Sequence, residues 1–260
     1  MEPLFSQLTT LLLSLWWPFC RILALFSAAP MIGENMVPVS VRVLLSLCLA
    51  VVLLPAAQPP ALGEVWSLHT VLLTAEQVVI GLMLGLAFHF VLAALMTLGF
   101  LISAQMGLSM AIMNDPMSGM SSDVISALLY VFYILVFFAI DGHLIFTGVL
   151  SESFRAWPIG SGVPAALLHS LALNVAWVFA AAVLMAVPII FAMLVVQMGF
   201  GFLNRVAPTL NLFSLGFSLF TLFGLFLLGW MARGLPEHYL RMTRRVLEMI
   251  NYNMHAVPHG

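Results

Sequence analysis

The chain has 260 residues, 63% of them hydrophobic and only 7% charged, with a formal net charge of −2. Soluble domains carry about 25% charged residues, so a water-facing globule is excluded, and the absence of a basic surplus excludes a nucleic-acid binder. At about 20 apolar residues per span, the length suits a bundle of roughly five to seven membrane-embedded helices.

The first apolar segment, Leu4 to Phe26, holds Trp16, Trp17, Pro18 and Arg21. Glu2 stands where a secretory signal would be basic, and the run is long enough to span, so a retained helix is expected. Pro30, Gly33 and Pro38 break the chain before a second segment, Val39 to Leu54, with Arg42 near its start. The two cysteines, Cys20 and Cys48, form no CxxC and are expected to be buried free thiols.

The third segment, Leu68 to Ala104, carries one formal charge, Glu76. As one helix it would be on the order of 55 Å long, well beyond a hydrocarbon core of about 30 Å. It is therefore either two spans broken near Gly81 and Gly85, or one long helix that does not simply cross a bilayer. Gly81 and Gly85 also form a GxxxG, a close-packing face for another helix. Glu76 and His89 lie about 20 Å apart along one helix, too far for direct proton transfer. Arg21, Arg42, Glu76 and Gln77 are expected to be polar groups facing the bundle interior or a neighbouring subunit.

Gln105 to Asp123 changes character, with Ser109, Asn114, Asp115, Pro116, Ser118, Gly119, Ser121 and Ser122. Proline disfavours a helical residue before it, which predicts a turn at Asn114-Asp115-Pro116. Met106, Met110, Met113, Met117 and Met120 crowd into this stretch, although the whole chain has only 17 methionines. Methionine side chains are flexible and polarizable, and irregular backbone at membrane depth is tolerated inside protein or beside water. The pattern suits a deformable plug; the blander reading is ordinary packing of a methionine-rich helix.

A fourth segment runs from Val124 to Ile140 and ends at Asp141-Gly142. His143 to Phe154 is a short apolar stretch closed by Arg155, Trp157, Pro158 and Gly160. The fifth, Ala165 to Phe202, is again too long for one upright span; it contains Pro188, and Gly199 and Gly201 offer a hinge or tight contact. Asn204, Arg205 and Pro208 belong to a polar turn before a sixth segment, Leu210 to Met231. The tail is expected to include an amphipathic helix with Arg241, Arg244, Arg245 and Glu248. No HExxH, Walker A loop or GxGxxG is present, and the serines lack His and Asp partners in sequence. An enzyme, a cofactor and a metal are therefore not expected.

Five stretches in order carry a family likeness: WPFCRILALFSAAPMIGENMVP (17–38), EQVVIGLMLG (76–85), QMGLSMAIMNDPMSG (105–119), DGH with SFRAWPIG (141–160), and LNRVAP (203–208). Over nearly its whole length the chain resembles the FliR/SctT family of type III secretion export-gate proteins, and the set favours the flagellar branch over the injectisome branch.

The resemblance implies an all-α protein of long kinked helical hairpins, with a FliP-like part (1–160) followed by a FliQ-like hairpin and tail (161–260). It implies assembly with FliP and FliQ homologues, an FlhB homologue as neighbour, membrane lipid around the complex, and exported flagellar proteins in transit, in the bacterial inner membrane. The family's channel-obstructing plug maps onto residues 105–122, that is Gln105, Met106, Met110, Met113, Asn114, Asp115, Pro116, Met117, Gly119 and Met120. The hairpin tip maps onto Asn204, Arg205 and Pro208. The alternatives are an injectisome-type gate subunit and a small-molecule secondary carrier. A carrier built from repeats would show related halves, and no internal symmetry is evident.

Overall fold

The computed structural model describes residues 2–33, 37–58, 67–108, 113–114, 121–206 and 212–255. Among these residues it is helical almost throughout: α1 (Glu2–Ala28), α2 (Val39–Ala57), α3 (Leu68–Gln105), α4 (Val124–Ala139), α5 (Gly142–Ala156), α6 (Ala165–Val206), α7 (Leu212–Ala232) and α8 (Leu235–His255). The only strands among the described residues are a two-residue antiparallel pair, β1 (Met113–Asn114) with β2 (Ser121–Ser122).

The third segment is a single helix of 38 residues, not two spans. Ser67 starts it, its hydroxyl accepting the Thr70 backbone N–H at 3.3 Å, as an N-cap side chain does. Gly81 and Gly85 do not break it, because α1 lies against them. A Cβ on Gly81 would overlap the Arg21 carbonyl and sit 2.8 Å from the Ala24 Cβ, and one on Gly85 would sit 2.7 Å from the Ala28 Cβ. The GxxxG is thus the groove into which the Arg21–Ala28 stretch of α1 packs. The fifth segment is likewise one helix, α6, of 42 residues with Pro188 inside it. The short stretch after Asp141 is a helix too, α5, bent by 68° from α4. Asp141 sits at that corner in the left-handed region (φ 55°), which a short polar side chain tolerates.

α2, α3 and α6 are long and apolar enough to cross a membrane; counting each bent pair, α4 with α5 and α7 with α8, as one span raises the number to five among the described residues. Both cysteines are free, but only Cys20 is buried. Cys48 is exposed because α2 turns just its small residues, Ser46, Ala50 and Ala57, inward.

The chain forms two compact units. The first contains residues 1–90, 137–174 and 244–260. In it α1 packs on α2 and α3, and a ring cluster of Phe88, Phe137 and Phe146 fills the core, with centroids 4.3 and 5.1 Å apart about Phe146. The second contains residues 91–136 and 175–243. There α6 and α7 lie side by side: Phe200 and Phe220, equidistant from residue 210, meet edge to face at 5.3 Å. The predicted amphipathic tail is α8, whose Tyr239, Met242, Val246, Ile250 and Met254 are buried at helical spacing while Arg241, Arg244, Arg245 and Glu248 face outward.

Candidate functional site

The segment from Gln105 to Asp123 joins the end of α3 to the start of α4. Its departure is fixed by three successive residues. The Gln105 carbonyl accepts a hydrogen bond from Gln197 Nε2 on α6 at 3.1 Å. Met106 is completely buried and lies against Gly224 of α7. Gly107 then takes φ +76°, a conformation open to glycine at no steric cost, and turns the chain off the helix.

The return is fixed by Asp123. Its Oδ1 accepts the backbone N–H of Ile125 (3.1 Å) and of Ser126 (2.9 Å), capping α4. The Ser126 hydroxyl lies 2.6 Å from Asp123 Oδ2 and 3.0 Å from the Met96 carbonyl, and so ties the cap back to α3. Gly99 makes room for that contact: a Cβ there would stand 2.7 Å from the Ser126 Cα. Between the two ends, the backbone pairs Met113 with Ser122 and Asn114 with Ser121. The insert is therefore a strap with both roots on α3. Met110, Asp115, Pro116, Met117, Gly119 and Met120, and the turn expected at Pro116, lie outside the described residues.

In the first unit, four buried polar contacts gather on Arg21, which has no exposed surface. Its Nε donates to Gln77 Oε1 at 2.7 Å. Nη1 donates to the Ser153 carbonyl at 2.9 Å, with the Ser153 hydroxyl at 3.3 Å, and Nη2 to the Trp157 carbonyl at 2.8 Å. The Phe154 ring lies under the guanidinium, 4.3 Å from its centroid. Gln77 passes the interaction on, its amide nitrogen donating to Glu76 Oε1 at 3.0 Å, and the same oxygen accepts the Gly160 N–H at 3.0 Å. The two bonds of Gln77 require opposite ends of its amide, so they agree on one orientation.

Three of the stretches that carried the family likeness meet here: Arg21 from the first, Glu76 and Gln77 from the second, Ser153 to Gly160 from the fourth. Arg42 stands at the start of α2, Nη2 donating to the Val37 carbonyl at 3.4 Å. Asn204 and Arg205 are exposed at the end of α6, and Pro208 lies outside the described residues.

Sequence reasoning found Arg21, Glu76 and Gln77 but not their remaining partners: the Ser153 and Trp157 carbonyls and the Ser153 hydroxyl, which accept from Arg21, and the Gly160 N–H, which donates to Glu76. It also missed Gln197, Gly224 and the Asp123–Ser126 cap. The cap was findable, since an aspartate directly ahead of an apolar helical run is an N-cap signal.

A family model described as bacterial export proteins, family 1, matches residues 12–246. The flagellar biosynthetic protein FliR of Pectobacterium carotovorum subsp. carotovorum is 33% identical over 236 residues, 90% of each chain. The protein of that name in Escherichia coli (strain K12) is 35% identical over 206 residues, 78% of each chain. The Yop proteins translocation protein T of Yersinia pestis is 26% identical over 199 residues, 75% of this chain and 76% of the relative.

Proposed function

The chain belongs to the bacterial export proteins, family 1, and from that premise we propose that it is a structural core subunit of the flagellar type III protein-export gate. It sits in the bacterial inner membrane with homologues of FliP, FliQ and FlhB, and exported flagellar proteins pass through the assembly. Residues 1–160 form its FliP-like part and 161–260 its FliQ-like hairpin. The flagellar branch is favoured over the injectisome branch because the flagellar relatives match at higher identity over as much or more of the chain.

The length of the exposed apolar face of α6 supports assembly. Leu168, Leu173, Phe179, Leu184, Phe191, Met198, Phe202 and Val206 are all more than half exposed. They reach along about 57 Å of helix at 1.5 Å per residue, and a hydrocarbon core covers about 30 Å. The remainder is too apolar for water, so other polypeptides cover it.

The strap from Gln105 to Ser122 acts as the channel's closure. A methionine-rich strap rooted at both ends can reseal around an irregular opening after a substrate has passed, because its side chains re-pack at little cost. In cells carrying the assembled gate, deleting Met110 to Gly119 is expected to raise the leak of small ions while the complex still co-purifies. An assembled deletion complex that leaks no more than wild type removes the closure role.

A further inference from the structure

The outer face of the chain changes polarity abruptly between α7 and α8. On α7, Leu222, Phe226 and Trp230 are each about two-thirds exposed and recur every four residues, which makes one apolar stripe. Gly229, next to Trp230, is exposed as well, and a Cβ built there would meet nothing within 4 Å. Beyond Arg233 and Gly234 the axis bends by 60° into α8. There Glu237, Arg241, Arg244, Arg245 and Glu248 face outward. The apolar side of α8 is already occupied, with Tyr239 and Met242 buried and the Tyr239 ring edge-on to Tyr133 at 5.4 Å.

The border itself is marked by two side chains. The Arg233 guanidinium carbon stands 5.7 Å from the centroid of the exposed Trp230 ring. An indole that closes an apolar stripe, with an arginine over it, suits the boundary between hydrocarbon and headgroups: each has an apolar body and a polar end. The charge is concentrated at the same place. Four of the chain's eight basic residues, Arg233, Arg241, Arg244 and Arg245, fall within residues 233–245, where Glu237 is the one acidic residue, although the chain as a whole carries −2. Arg241 lies 3.7 Å from Glu237, but both side chains are mostly exposed, and such a pair holds an arginine only weakly.

We propose that the corner between α7 and α8 lies at the membrane surface and that Arg233, Arg241 and Arg244 bind the phosphates of anionic phospholipids, with Leu222, Phe226 and Trp230 against their acyl chains. Guanidinium groups match phosphate oxygens in both charge and fork geometry. Because the apolar side of α8 packs on the chain's own core, the face it leaves for the membrane is the arginine face, which suits headgroups and not acyl chains. An acidic polypeptide would satisfy the arginines alone; a phospholipid satisfies the arginines, the border tryptophan and the apolar stripe together. The site rests on the membrane placement proposed above and is independent of the closure role.

The test uses the assembled complex, reconstituted into phosphatidylcholine bilayers with a minor share of phosphatidylglycerol. In parallel samples one lipid or the other carries a photoactivatable diazirine, and adducts on residues 222–245 are mapped by mass spectrometry. At equal probe concentration, phosphatidylglycerol is expected to label this stretch about tenfold more than phosphatidylcholine, since each arginine near an anionic surface contributes about fivefold in binding. Arg241→Gln combined with Arg244→Gln should remove most of that preference and leave the phosphatidylcholine yield unchanged. Arg241→Lys combined with Arg244→Lys retains the charge and should retain most of the preference. Arg155→Gln, at an exposed arginine of α5, should leave both yields at the wild-type level.

The lipid site is overturned if the two lipids label the wild-type stretch equally, or if the glutamine double variant keeps the wild-type preference. Equal loss in the glutamine and lysine variants overturns it too, because charge would then not be what binds. Should the glutamine variant lose a subunit on purification while its phosphatidylglycerol labelling holds, the arginines serve an acidic polypeptide and the lipid reading falls. Should that variant fail to assemble at all, the wild-type comparison of the two lipids decides. Alkaline extraction of cell membranes separates this test from the placement it rests on. A complex released by alkali refutes the placement and the site with it; a complex that stays in the membrane but shows no lipid preference refutes the site alone.

Discussion

Arg21 shows how a full charge is held in an apolar chain without a carboxylate in direct contact. Its fork of donors is matched by one amide oxygen, two backbone carbonyls and a hydroxyl, and an aromatic face covers one side. The carboxylate of Glu76 is reached through Gln77, which spreads the ion pair across three side chains. Breaking such a set at one member leaves a buried charge uncompensated, a larger loss than removing the whole set. Gln77→Leu is expected to lower stability by about 2–4 kcal/mol, because Arg21 Nε then faces hydrocarbon. Gln77→Glu combined with Glu76→Gln keeps an acceptor for Arg21 Nε and a donor between the two neighbouring side chains, and should cost far less. Thermal melting of the purified complex in detergent distinguishes the two; equal melting temperatures would show that the Gln77 bond carries no stability.

Among the elements, α1 and α3 approach each other closely in the first unit. Gly81 and Gly85 let the backbone of α1 come within van der Waals distance of α3, and this contact is what places Arg21 beside Gln77. Gly81→Val would push α1 away and is expected to destabilise by about 1–3 kcal/mol, as overpacking does. Gly148→Ala on α5, where a Cβ would meet nothing within 4 Å, serves as the comparison and should be neutral or mildly stabilising. The same melting measurement checks both, and a neutral Gly81→Val would mean that α1 does not need the groove. The strap is an element of a different kind. It is held by an aspartate cap at one root and by a seated methionine at the other, with a short backbone pair between.

At the scale of the whole molecule, the surface is as informative as the core. α2 and α6 leave most of their apolar side chains exposed, whereas α3 is largely covered. With Cys48→Ser as background, single cysteines at Leu168 and Phe202 stand 34 residues apart on α6, about 51 Å along the helix. A bilayer cannot cover both. In the assembled gate both are expected to resist a membrane-impermeant maleimide, and in the isolated chain at least one should be labelled within the same time. Equal labelling in the two states would mean that no partner covers α6.

Much of this was legible in the residues themselves. An all-helical membrane-embedded architecture follows from apolar runs that are too long for strands and nearly free of charge. The GxxxG at Gly81 and Gly85 was readable as a packing face, the corner at Asp141 as a helix end, and α8 as an amphipathic helix, since each depends on neighbours within a few turns. Arg21, Glu76 and Gln77 stood out because polar groups are rare in such segments and require partners. The partners themselves were not legible. Ser153 and Trp157 present backbone carbonyls to Arg21, and every residue has a carbonyl, so no side-chain code marks them. Whether residues 68–105 form one helix or two, and why Gly224 is glycine while Gly229 faces empty space, depended on which helix lies opposite. Sequence alone determines what must be buried and what must bend; only tertiary packing decides against what, because contact between residues 106 and 224 is set by the meeting of whole helices and leaves no local trace in either.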